Sequence, residues 1–484
     1  MIVGVDVGTS VTKARLIGAD GRGGKPHSAR SSLLTGQGAA VEQELEEVID
    51  TVVTVVRAAV ADAESFGEPI EALAITGQGD GLWLRDGDGN SVGRAISWMD
   101  GRASGILDKW TGEGVLRQVY RLTGSGMFPG CAGPLLAHLA EHEPDRLRRA
   151  VVAGYCIDAI AQRFTGAITV DASNASLPFL DVPSRGYSEA ALRACGLESQ
   201  RHLLAEPAKP GALFGLTKDA AAQLGLPGGL PVSSGPFDIP ACGFGSGIGK
   251  PGDGNLIIGT TLGCQVLTDE VRIEPDAEPA GMWLATPYPE RYLRVMPAMV
   301  GTATLDWVLK LLGVDVSELQ HLLTRSPPGA NGVSALPFLS MSGERAPFVD
   351  SRARGQLAGL TVGTSRADVV RALCEAVAFS ARHCLETLGC SGEVSACGGG
   401  ARSAAWSQIF ADVLDTELHI PDDEGVGVRG AAQVAWEALG APVDVHEWRC
   451  GRRIVRPDPE GVARYRQGYR DYRDALAVAR EGWR

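Results

Sequence analysis

The sequence predicts an α/β protein that contains two related domains. Strand-like and helix-like segments alternate along the first hundred residues, which is typical of α/β domains. A strand that runs into a glycine-hydroxyl turn near the N-terminus has a counterpart near residue 260, which indicates a second, related domain. The 484 residues allow two large domains or three smaller ones, at about 150 residues per domain.

The first element is the apolar run Ile2–Val7, which is typical of a strand covered on both faces. Gly8 permits a tight turn after it. The turn brings together a carboxylate, backbone N–H groups, two hydroxyls and an ammonium, from Asp6, Gly8, Thr9, Ser10 and Lys13. These groups suit a polyphosphate, with Asp6 holding Mg²⁺ directly or through water. The alternative is a hairpin in which Asp6 and Thr9 only stabilise the turn.

The next elements continue the alternation. Apolar residues at helical spacing predict a helix over Leu45–Ala63. Strands are expected over Ile70–Thr76, Leu82–Leu84 and Ala95–Met99. The first ends at a glycine-rich loop, and the last ends at Asp100-Gly101-Arg102.

The second half repeats the opening pattern. A strand at residues 231–234 leads to Gly235-Pro236-Phe237-Asp238, and an apolar strand then ends at the turn Gly259-Thr260-Thr261. This turn resembles Gly8-Thr9-Ser10, so the two hairpins are expected to clamp a polyphosphate between the domains.

Two helices of the second half carry clear start signals. Ser365 and Asp368 form a possible capping box, and Ser403 is an N-cap candidate. Three glycines at residues 398–400 precede Ser403 and offer a flat backbone surface to a planar nucleotide. The alternative is a helix entry that needs small residues for packing.

Composition limits the possible functions. The net charge of −13 and pI of about 5.2 argue against nucleic acid as the main partner. No apolar run reaches the length of a membrane span, and no secretion signal is visible. The ten cysteines are scattered singly, which favours reduced thiols in a cytoplasmic protein. The C-terminal tyrosines at helical spacing indicate helix packing, and the arginines among them indicate a solvated face.

Taken in order, the motifs resemble the FGGY family of carbohydrate kinases over nearly the whole chain. The matching segments are Gly4–Lys13, Glu42-Gln43, Gln78–Gly81, Ser97–Arg102, Phe128–Gly130, Glu141–Pro144, Gly259–Thr261, Ser342–Pro347, Gly355–Leu360 and Gly398–Ser403. The resemblance implies two ribonuclease-H-like domains of the actin and hexokinase type around a central cleft. Domain boundaries are expected at residues 1–246 and 247–484.

The resemblance also implies roles for individual residues. Asp238 matches the catalytic base, which accepts the hydroxyl proton in phosphoryl transfer. A plain N-cap is the alternative for Asp238. The cofactors implied are ATP and Mg²⁺, with Asp6 on the metal. The ATP residues are Gly8, Thr9, Ser10, Lys13, Gly259, Thr260, Thr261, Gly399, Gly400 and Ala401. The substrate residues are Gln78, Asp80, Asp100, Arg102 and Asp238.

The chain departs from the xylulokinase pattern at the first sugar loop. Xylulokinases usually carry Gln-Met-His-Gly, whereas this chain has Gln78-Gly79-Asp80-Gly81, and it has Phe237-Asp238 in place of Gly-Asp-Asn. Leu135 and His138 stand where the middle signature usually has Lys and Trp. The first two departures resemble the L-xylulose kinase and erythritol kinase branches. Asp80 suits a neutral polyol or ketose, and the alternative for it is a turn residue between two strands. The alternative for Asp100 and Arg102 is a purely structural Asp-Gly-Arg turn.

The expected function is ATP-dependent phosphorylation of a small sugar, with a ketopentose such as xylulose first and an erythritol or threitol type of polyol as the alternative. An actin-like or chaperone-like ATPase without a sugar acceptor is the rival from another class, and a sugar sensor that has lost catalysis is a third. A homodimer is left open.

Overall fold

The computed structural model describes residues 1–36, 38–63, 66–423, 425–441, 443, 448 and 451–483. Up to residue 247 the strands are β1 Ile2–Val7, β2 Val11–Ile17, β3 His27–Arg30, β4 Leu34–Thr35, β5 Val41–Gln43, β6 Ala72–Gly77, β7 Trp83–Arg85, β8 Ala95–Ile96, β9 Val152–Gly154, β10 Leu180–Asp181, β11 Gly186–Tyr187, β12 Phe214–Gly215 and β13 Pro231–Ser234. The helices are α1 Leu45–Ala63, α2 Ser104–Gly112, α3 Val115–Thr123, α4 Ala132–His142, α5 Pro144–Arg149, α6 Cys156–Thr165, α7 Ala172–Ala175, α8 Glu189–Ala194, α9 Lys218–Leu224 and α10 Asp238–Gly245.

From residue 248 onward the strands are β14 Gly254–Ile258, β15 Leu262–Thr268, β16 Met282–Ala285, β17 Tyr292–Ala298, β18 Ser334–Leu336, β19 Gln356–Ala358, β20 Val394–Cys397, β21 Leu418–Pro421 and β22 Arg452–Val455. The helices are α11 Thr302–Leu312, α12 Leu319–Arg325, α13 Arg366–Leu388, α14 Ala404–Leu414, α15 Val426–Ala438 and α16 Pro459–Gly482. Short 3-10 helices cover Glu198–Leu203, Val316–Glu318, Ala330–Gly332 and Gly399–Arg402.

The chain forms two compact units. Unit 1 contains Met1–Gly247, Asp269–Leu293 and Gly425–Cys450, and unit 2 contains Ile248–Thr268, Arg294–Glu424 and Gly451–Arg484. Two later segments therefore belong to unit 1, a feature that a single boundary after residue 246 does not describe. The division into domains at residues 1–246 and 247–484 stays a prediction.

The central strands of each unit follow the same order and directions. In unit 1 the order is β2-β1-β6-β13-β12, with β1 antiparallel to β2, parallel strands from β1 to β13, and an antiparallel β12. In unit 2 the order is β15-β14-β20-β21-β22, with the same directions. The two related domains predicted from the repeated hairpin are thus present as a repeated sheet topology.

Three local predictions are confirmed, and one predicted strand is shorter than expected. Helix α1 has the predicted bounds, and Ser365 forms the predicted capping box with Asp368. Ser403 caps α14, since its side chain accepts from the Trp406 N–H. The predicted strand Ala95–Met99 was too long, because after β8 the Asp100 N–H bonds to the Ser97 carbonyl at 3.0 Å and closes a turn.

The core of each unit is apolar, as the strand patterns predicted. Strand β1 is almost fully buried in unit 1, with α1 and α15 packed against it. In unit 2, Tyr465, Tyr469 and Tyr472 of α16 are buried around Phe379 of α13, which confirms helix packing for the tyrosine stripe. The nine described cysteines are free thiols, and Cys450 lies outside the described residues. Within the described part of the chain, every helix is too short or too polar to cross a lipid bilayer.

Candidate active site

Asp6 lies at the carboxyl end of β1, next to the glycine-hydroxyl turn. It stands opposite Lys13 on β2 and beside Thr76 on β6. The turn is closed by a 3.2 Å hydrogen bond from the Gly8 N–H to the Val11 carbonyl. Burial raises the pKa of Asp6, although the Lys13 charge opposes this shift. Ser10 and Lys13 are exposed beside this carboxylate, as a phosphate-binding role requires.

Helix α15 approaches the same carboxylate through a glycine. A Cβ on Gly427 would lie 3.0 Å from Asp6 Oδ2, so a larger residue there would crowd the carboxylate. Gly427 is more than 400 positions after Asp6 in the sequence. No local sequence signal links the two residues, and sequence reasoning missed Gly427.

Asp238 is the first residue of α10, and Phe237 occupies the N-cap position. The alternative that Asp238 is a plain N-cap is therefore wrong. Helix α10 packs closely against α15. The space at Gly245 leaves no room for a side chain, since a Cβ there would lie 1.8 Å from the Val426 carbonyl oxygen. Likewise, a Cβ on Gly430 would lie 2.0 Å from the Ala241 carbonyl oxygen. This backbone-to-backbone packing fixes the helix that carries Asp238.

The surroundings of Asp238 favour its neutral form. Burial raises the pKa of Asp238 to about 7, and the nearby charges of Asp6 and Asp80 act in the same direction. A hydrogen bond from the Ile239 N–H opposes the shift. Like charges that share a site disfavour ionisation. A carboxylate with a pKa near 7 is well suited to accept a proton from a hydroxyl group.

The turn before Asp238 is held by hydrogen bonds from distant parts of unit 1. The Phe237 N–H donates to Ser173 Oγ at 3.1 Å, and Ser173 Oγ donates in turn to Asp171. Thr76 Oγ1 donates to the Pro236 carbonyl at 2.7 Å. These bonds fix the backbone on which Asp238 sits.

A buried pair of opposite charges, Asp158 and Arg85, supports this turn through Asp171. The Asp171 N–H donates to Asp158 Oδ1 at 2.9 Å. Burial raises the pKa of Asp158 to about 7 and lowers that of Arg85 to about 10, while the opposite charges of the two groups counteract both shifts. Sequence reasoning missed Asp158 and Arg85, because they are far apart along the chain and far from Asp238.

Gln78 and Thr9 are joined by hydrogen bonds. The Gly77–Gln78 segment continues β6, with the Gln78 N–H bonded to the Val7 carbonyl at 2.9 Å. The Gln78 side chain is buried, donates to Gln43 Oε1 at 2.9 Å and accepts from Thr9 Oγ1 at 3.2 Å. Substrate binding by the Gln78 side chain stays a prediction that this geometry does not support.

The remaining sugar-side candidates differ in their accessibility. Asp80 is partly exposed, has a left-handed backbone with φ +55°, and is close enough to Asp238 to raise its pKa. Asp100 is buried and bonds to the Val41 N–H and to Arg102, whose guanidinium also bonds to Glu42. Asp80 is thus a candidate to meet a ligand, whereas Asp100 and Arg102 are paired with each other and with Val41 and Glu42, and their binding of substrate stays a prediction.

Unit 2 carries the second glycine-hydroxyl turn. It joins β14 to β15 through Gly259, Thr260 and Thr261, and Thr260 is exposed. The N–H groups that begin α11 bond to the Gly259 and Thr260 carbonyls at 2.8 and 3.2 Å. A Cβ on Gly301 would lie 2.6 Å from the Thr260 carbonyl oxygen. Sequence reasoning missed Gly301, where the absence of a side chain lets the backbone approach the turn closely.

The glycine-rich loop of unit 2 contains both open and packed positions. A Cβ on Gly399 would meet nothing within 4 Å, whereas one on Gly400 would lie 2.3 Å from Ile258 Cγ2. Ala401 is buried, and its carbonyl accepts from Ser407 Oγ and Arg453 Nη2. Gly399 is therefore the accessible position of the three, and Gly400 and Ala401 shape the loop from within.

Asp6 fits a magnesium ion that arrives with a nucleotide. No cluster of three or more His, Cys, Asp or Glu ligands occurs among the residues that the structure describes. Mg²⁺ in phosphoryl-transfer sites is usually held by one or two carboxylates together with phosphate oxygens and water. A partly exposed carboxylate beside exposed phosphate-binding candidates satisfies that requirement.

The arrangement in unit 1 suits proton abstraction beside an anion. Asp238 is a carboxylate with a raised pKa, and it is fixed at a helix start by packed glycines. Asp6 adds a second carboxylate, with Lys13 opposite it. Phosphoryl transfer relies on such positioning, with a carboxylate to accept the acceptor proton and cations over the phosphates.

Two family models match the chain. The N-terminal domain of the FGGY family of carbohydrate kinases matches residues 1–245, and the C-terminal domain of that family matches residues 254–439.

Similar proteins cover nearly the whole chain. An erythritol kinase of Brucella abortus is 31% identical over 91% of this chain and 88% of its own length. A xylulose kinase of Escherichia coli is 29% identical over 90% of this chain and 89% of its own length. The crystal structure of a xylulose kinase from Rhodospirillum rubrum superposes with a TM-score of 0.89 at 25% identity, covering 99% of both chains.

Proposed function

The chain belongs to the FGGY family of carbohydrate kinases and is an ATP-dependent phosphotransferase of a sugar or polyol, and from this premise we propose that its acceptor is a small neutral polyol of the erythritol type. The similarity to an erythritol kinase, at 31% identity over 91% of the chain, carries this proposal. A ketopentose is the second candidate, since the xylulose kinase of Escherichia coli is 29% identical over 90% of the chain.

The charges of unit 1 support a neutral acceptor. Asp6 and Asp80 both act electrostatically on Asp238, so two further carboxylates lie within electrostatic range of it. An acceptor that carries its own carboxylate would meet like-charge repulsion there. A polyol offers only hydroxyl groups, which can donate hydrogen bonds to carboxylates without that cost.

Asp238 is the proposed general base. It takes the proton of the attacking hydroxyl as that oxygen forms its bond to the γ-phosphorus, and ADP leaves with the electron pair of the broken P–O bond. Asp80 is the proposed hydrogen-bond partner of the other acceptor hydroxyls. Asp100 and Arg102 are proposed to hold the acceptor loop, because their charged groups are already paired with each other.

ATP is the donor in this family, and the ligand roles in this chain are proposals. In unit 1, Ser10 and Lys13 are the proposed phosphate ligands of the turn, with Gly8 and Thr9 shaping it. In unit 2 the proposed phosphate residues are Gly259, Thr260 and Thr261, and Gly399 is the proposed nucleoside contact, with Gly400 and Ala401 behind it. Asp6 would hold Mg²⁺, which would neutralise phosphate charge when bound. We propose a cytoplasmic location from the reduced thiols.

An acceptor screen tests the proposal. ADP formation from MgATP is measured with erythritol, D-threitol, L-threitol, glycerol, D-xylulose, L-xylulose and gluconate, and the phosphorylated carbon is identified by NMR. We expect the highest kcat/KM with a four-carbon polyol and the lowest with gluconate. A preference for xylulose by more than tenfold would select the ketopentose alternative. ADP formation that is equal with and without every acceptor would favour the actin-like ATPase.

The first sugar loop offers a matched variant. Asp80→His introduces the residue that xylulokinases usually carry at this position. If Asp80 binds the acceptor, the change lowers kcat/KM for the preferred polyol while leaving KM for ATP within about twofold. Asp88→His, an exposed turn residue of the same unit, is the control and should leave both values unchanged.

A further inference from the structure

Hydrogen bonds connect the turn Gly8–Ser10 of unit 1, the proposed phosphate turn, directly to Gln78–Gly81 and Ser97–Arg102, the proposed acceptor loops. The Trp98 Nε1–H donates to Thr9 Oγ1 at 3.0 Å, and Thr9 Oγ1 donates to Gln78 Oε1 at 3.2 Å. Trp98 lies in the loop that follows β8, and Gln78 follows β6. The Thr9 hydroxyl is thus shared by two loops that belong to the acceptor side.

A buried glutamine closes this connection into a ring. Gln43 Nε2 donates to the Thr9 carbonyl at 3.0 Å, and Gln43 Oε1 accepts from Gln78 Nε2 at 2.9 Å. Gln43 has no exposed surface, and Gln78 is 3% exposed. We call Thr9, Gln43, Gln78 and Trp98 the joint. Because the joint contains two buried amides, breaking one of its bonds leaves a polar group unsatisfied.

The Thr9 hydroxyl cannot serve the joint and a phosphate equally. A hydroxyl has one proton to donate, and Gln78 Oε1 receives it. The oxygen also accepts from Trp98. A phosphate oxygen needs a donor, so the neighbouring exposed Ser10 is better suited to it than the Thr9 side chain.

We infer that the joint couples the acceptor loops to the phosphate turn, so that the turn is correctly positioned for transfer only when the acceptor loops are in place. This inference rests on the proposed function and assigns Thr9 and Trp98 as positioning residues. Phosphoryl transfer depends mainly on positioning, and a misplacement of about 1 Å can cost on the order of 10²-fold in rate. A joint of this kind favours transfer to the acceptor over transfer to water.

Near-isosteric variants test the joint. Thr9→Val removes the hydroxyl, Thr9→Ser keeps it, and Trp98→Phe removes the indole N–H while keeping an aromatic ring. Each protein is assayed for kcat, for KM of ATP and acceptor, and for ADP formation without acceptor. Trp110→Phe, a buried tryptophan on α2, is the matched control.

The expected pattern is specific. Thr9→Val and Trp98→Phe each lower the ratio of transfer to hydrolysis by about threefold to tenfold, the effect of one neutral hydrogen bond, with KM for ATP within about twofold. The double variant is no worse than the more affected single variant, because both changes break the same joint. Thr9→Ser and Trp110→Phe keep the wild-type ratio.

Two other patterns would overturn the inference. If Thr9→Val raises KM for ATP and Trp98→Phe does not, with additive effects, Thr9 is a direct phosphate ligand. If both variants lower Tm but leave the transfer-to-hydrolysis ratio at the wild-type value, the joint is only structural. Failure of the proposed function is distinguishable, because wild-type protein would then form ADP at a rate that no acceptor changes.

Discussion

The raised pKa of Asp238 predicts a pH dependence that an ordinary aspartate would not give. With a pKa of about 7, the carboxylate is half ionised at pH 7. It is about one-tenth ionised at pH 6 and about nine-tenths ionised at pH 8, since one pH unit changes the ratio of the two forms tenfold. A typical aspartate, with a pKa near 3.9, would be fully ionised over this range.

The rate with both substrates far below their KM reports this ionisation in the ligand-free protein. We expect that rate to fall about tenfold per pH unit below pH 7, because only the ionised form of Asp238 accepts the proton. The assay is initial ADP formation between pH 5.5 and 8.5 at constant ionic strength, with the preferred acceptor. A rate that is constant from pH 5.5 to 8.5 would refute the reasoning.

Asp80→Asn tests the cause of the shift. The Asp80 charge helps to raise the pKa of Asp238, so its removal should move the inflection to lower pH. Asp88→Asn, at an exposed turn position of the same unit, is the control and should leave the inflection in place. An unchanged inflection in Asp80→Asn would mean that burial and Asp6 account for the shift alone.

The same carboxylate makes the folded protein less stable as pH rises. The pKa is about 7 in the folded chain, well above that of an unfolded aspartate, so the folded state binds more protons between about pH 4 and 7. The stability that protonated Asp238 contributes is therefore complete below about pH 4 and lost as pH rises through 7. Asp238→Asn should match the wild-type Tm near pH 4 and exceed it at pH 8. A Tm difference that does not change with pH would contradict this linkage.

Three glycine variants give further predictions. Gly235→Ala should lower both Tm and kcat, because φ is +95° there and the new Cβ would lie 2.3 Å from Asp171 Oδ1, beside the turn that holds Asp238. A kcat within about threefold of wild type would contradict the importance of that turn. Gly400→Ala should lower Tm, as measured by thermal unfolding, because the new Cβ would lie 2.3 Å from Ile258 Cγ2. Gly399→Ala should keep the wild-type Tm and raise only KM for ATP, and an unchanged KM would remove Gly399 from the nucleoside contacts.

The sequence predicted those features that local patterns encode. The repeated turns at Gly8–Ser10 and Gly259–Thr261 correctly indicated two domains with the same central strand order. The bounds of α1 follow from apolar periodicity, and the start of α13 follows from a capping box, both of which depend on near neighbours.

The features that sequence reasoning missed depend on distant contacts. Asp171 and Ser173 hold the backbone before Asp238 although they precede it by more than sixty residues. Gly427 meets Asp6 from the opposite end of the chain. Substrate binding by Asp100 and Arg102 stays a prediction, and their bonds to Val41 and Glu42 depend on the fold, which brings these distant residues together.

The most direct test of the central claim is phosphoryl transfer from γ-labelled ATP to erythritol, compared between wild type and Asp238→Asn. The account predicts a labelled polyol phosphate with wild type, and a transfer rate reduced by about 10²–10⁴-fold in the variant, the usual effect of losing a general base. Binding of ATP should be unchanged in the variant. Transfer by Asp238→Asn within about tenfold of wild type, or release of labelled phosphate at a rate that no polyol or ketose alters, would contradict it.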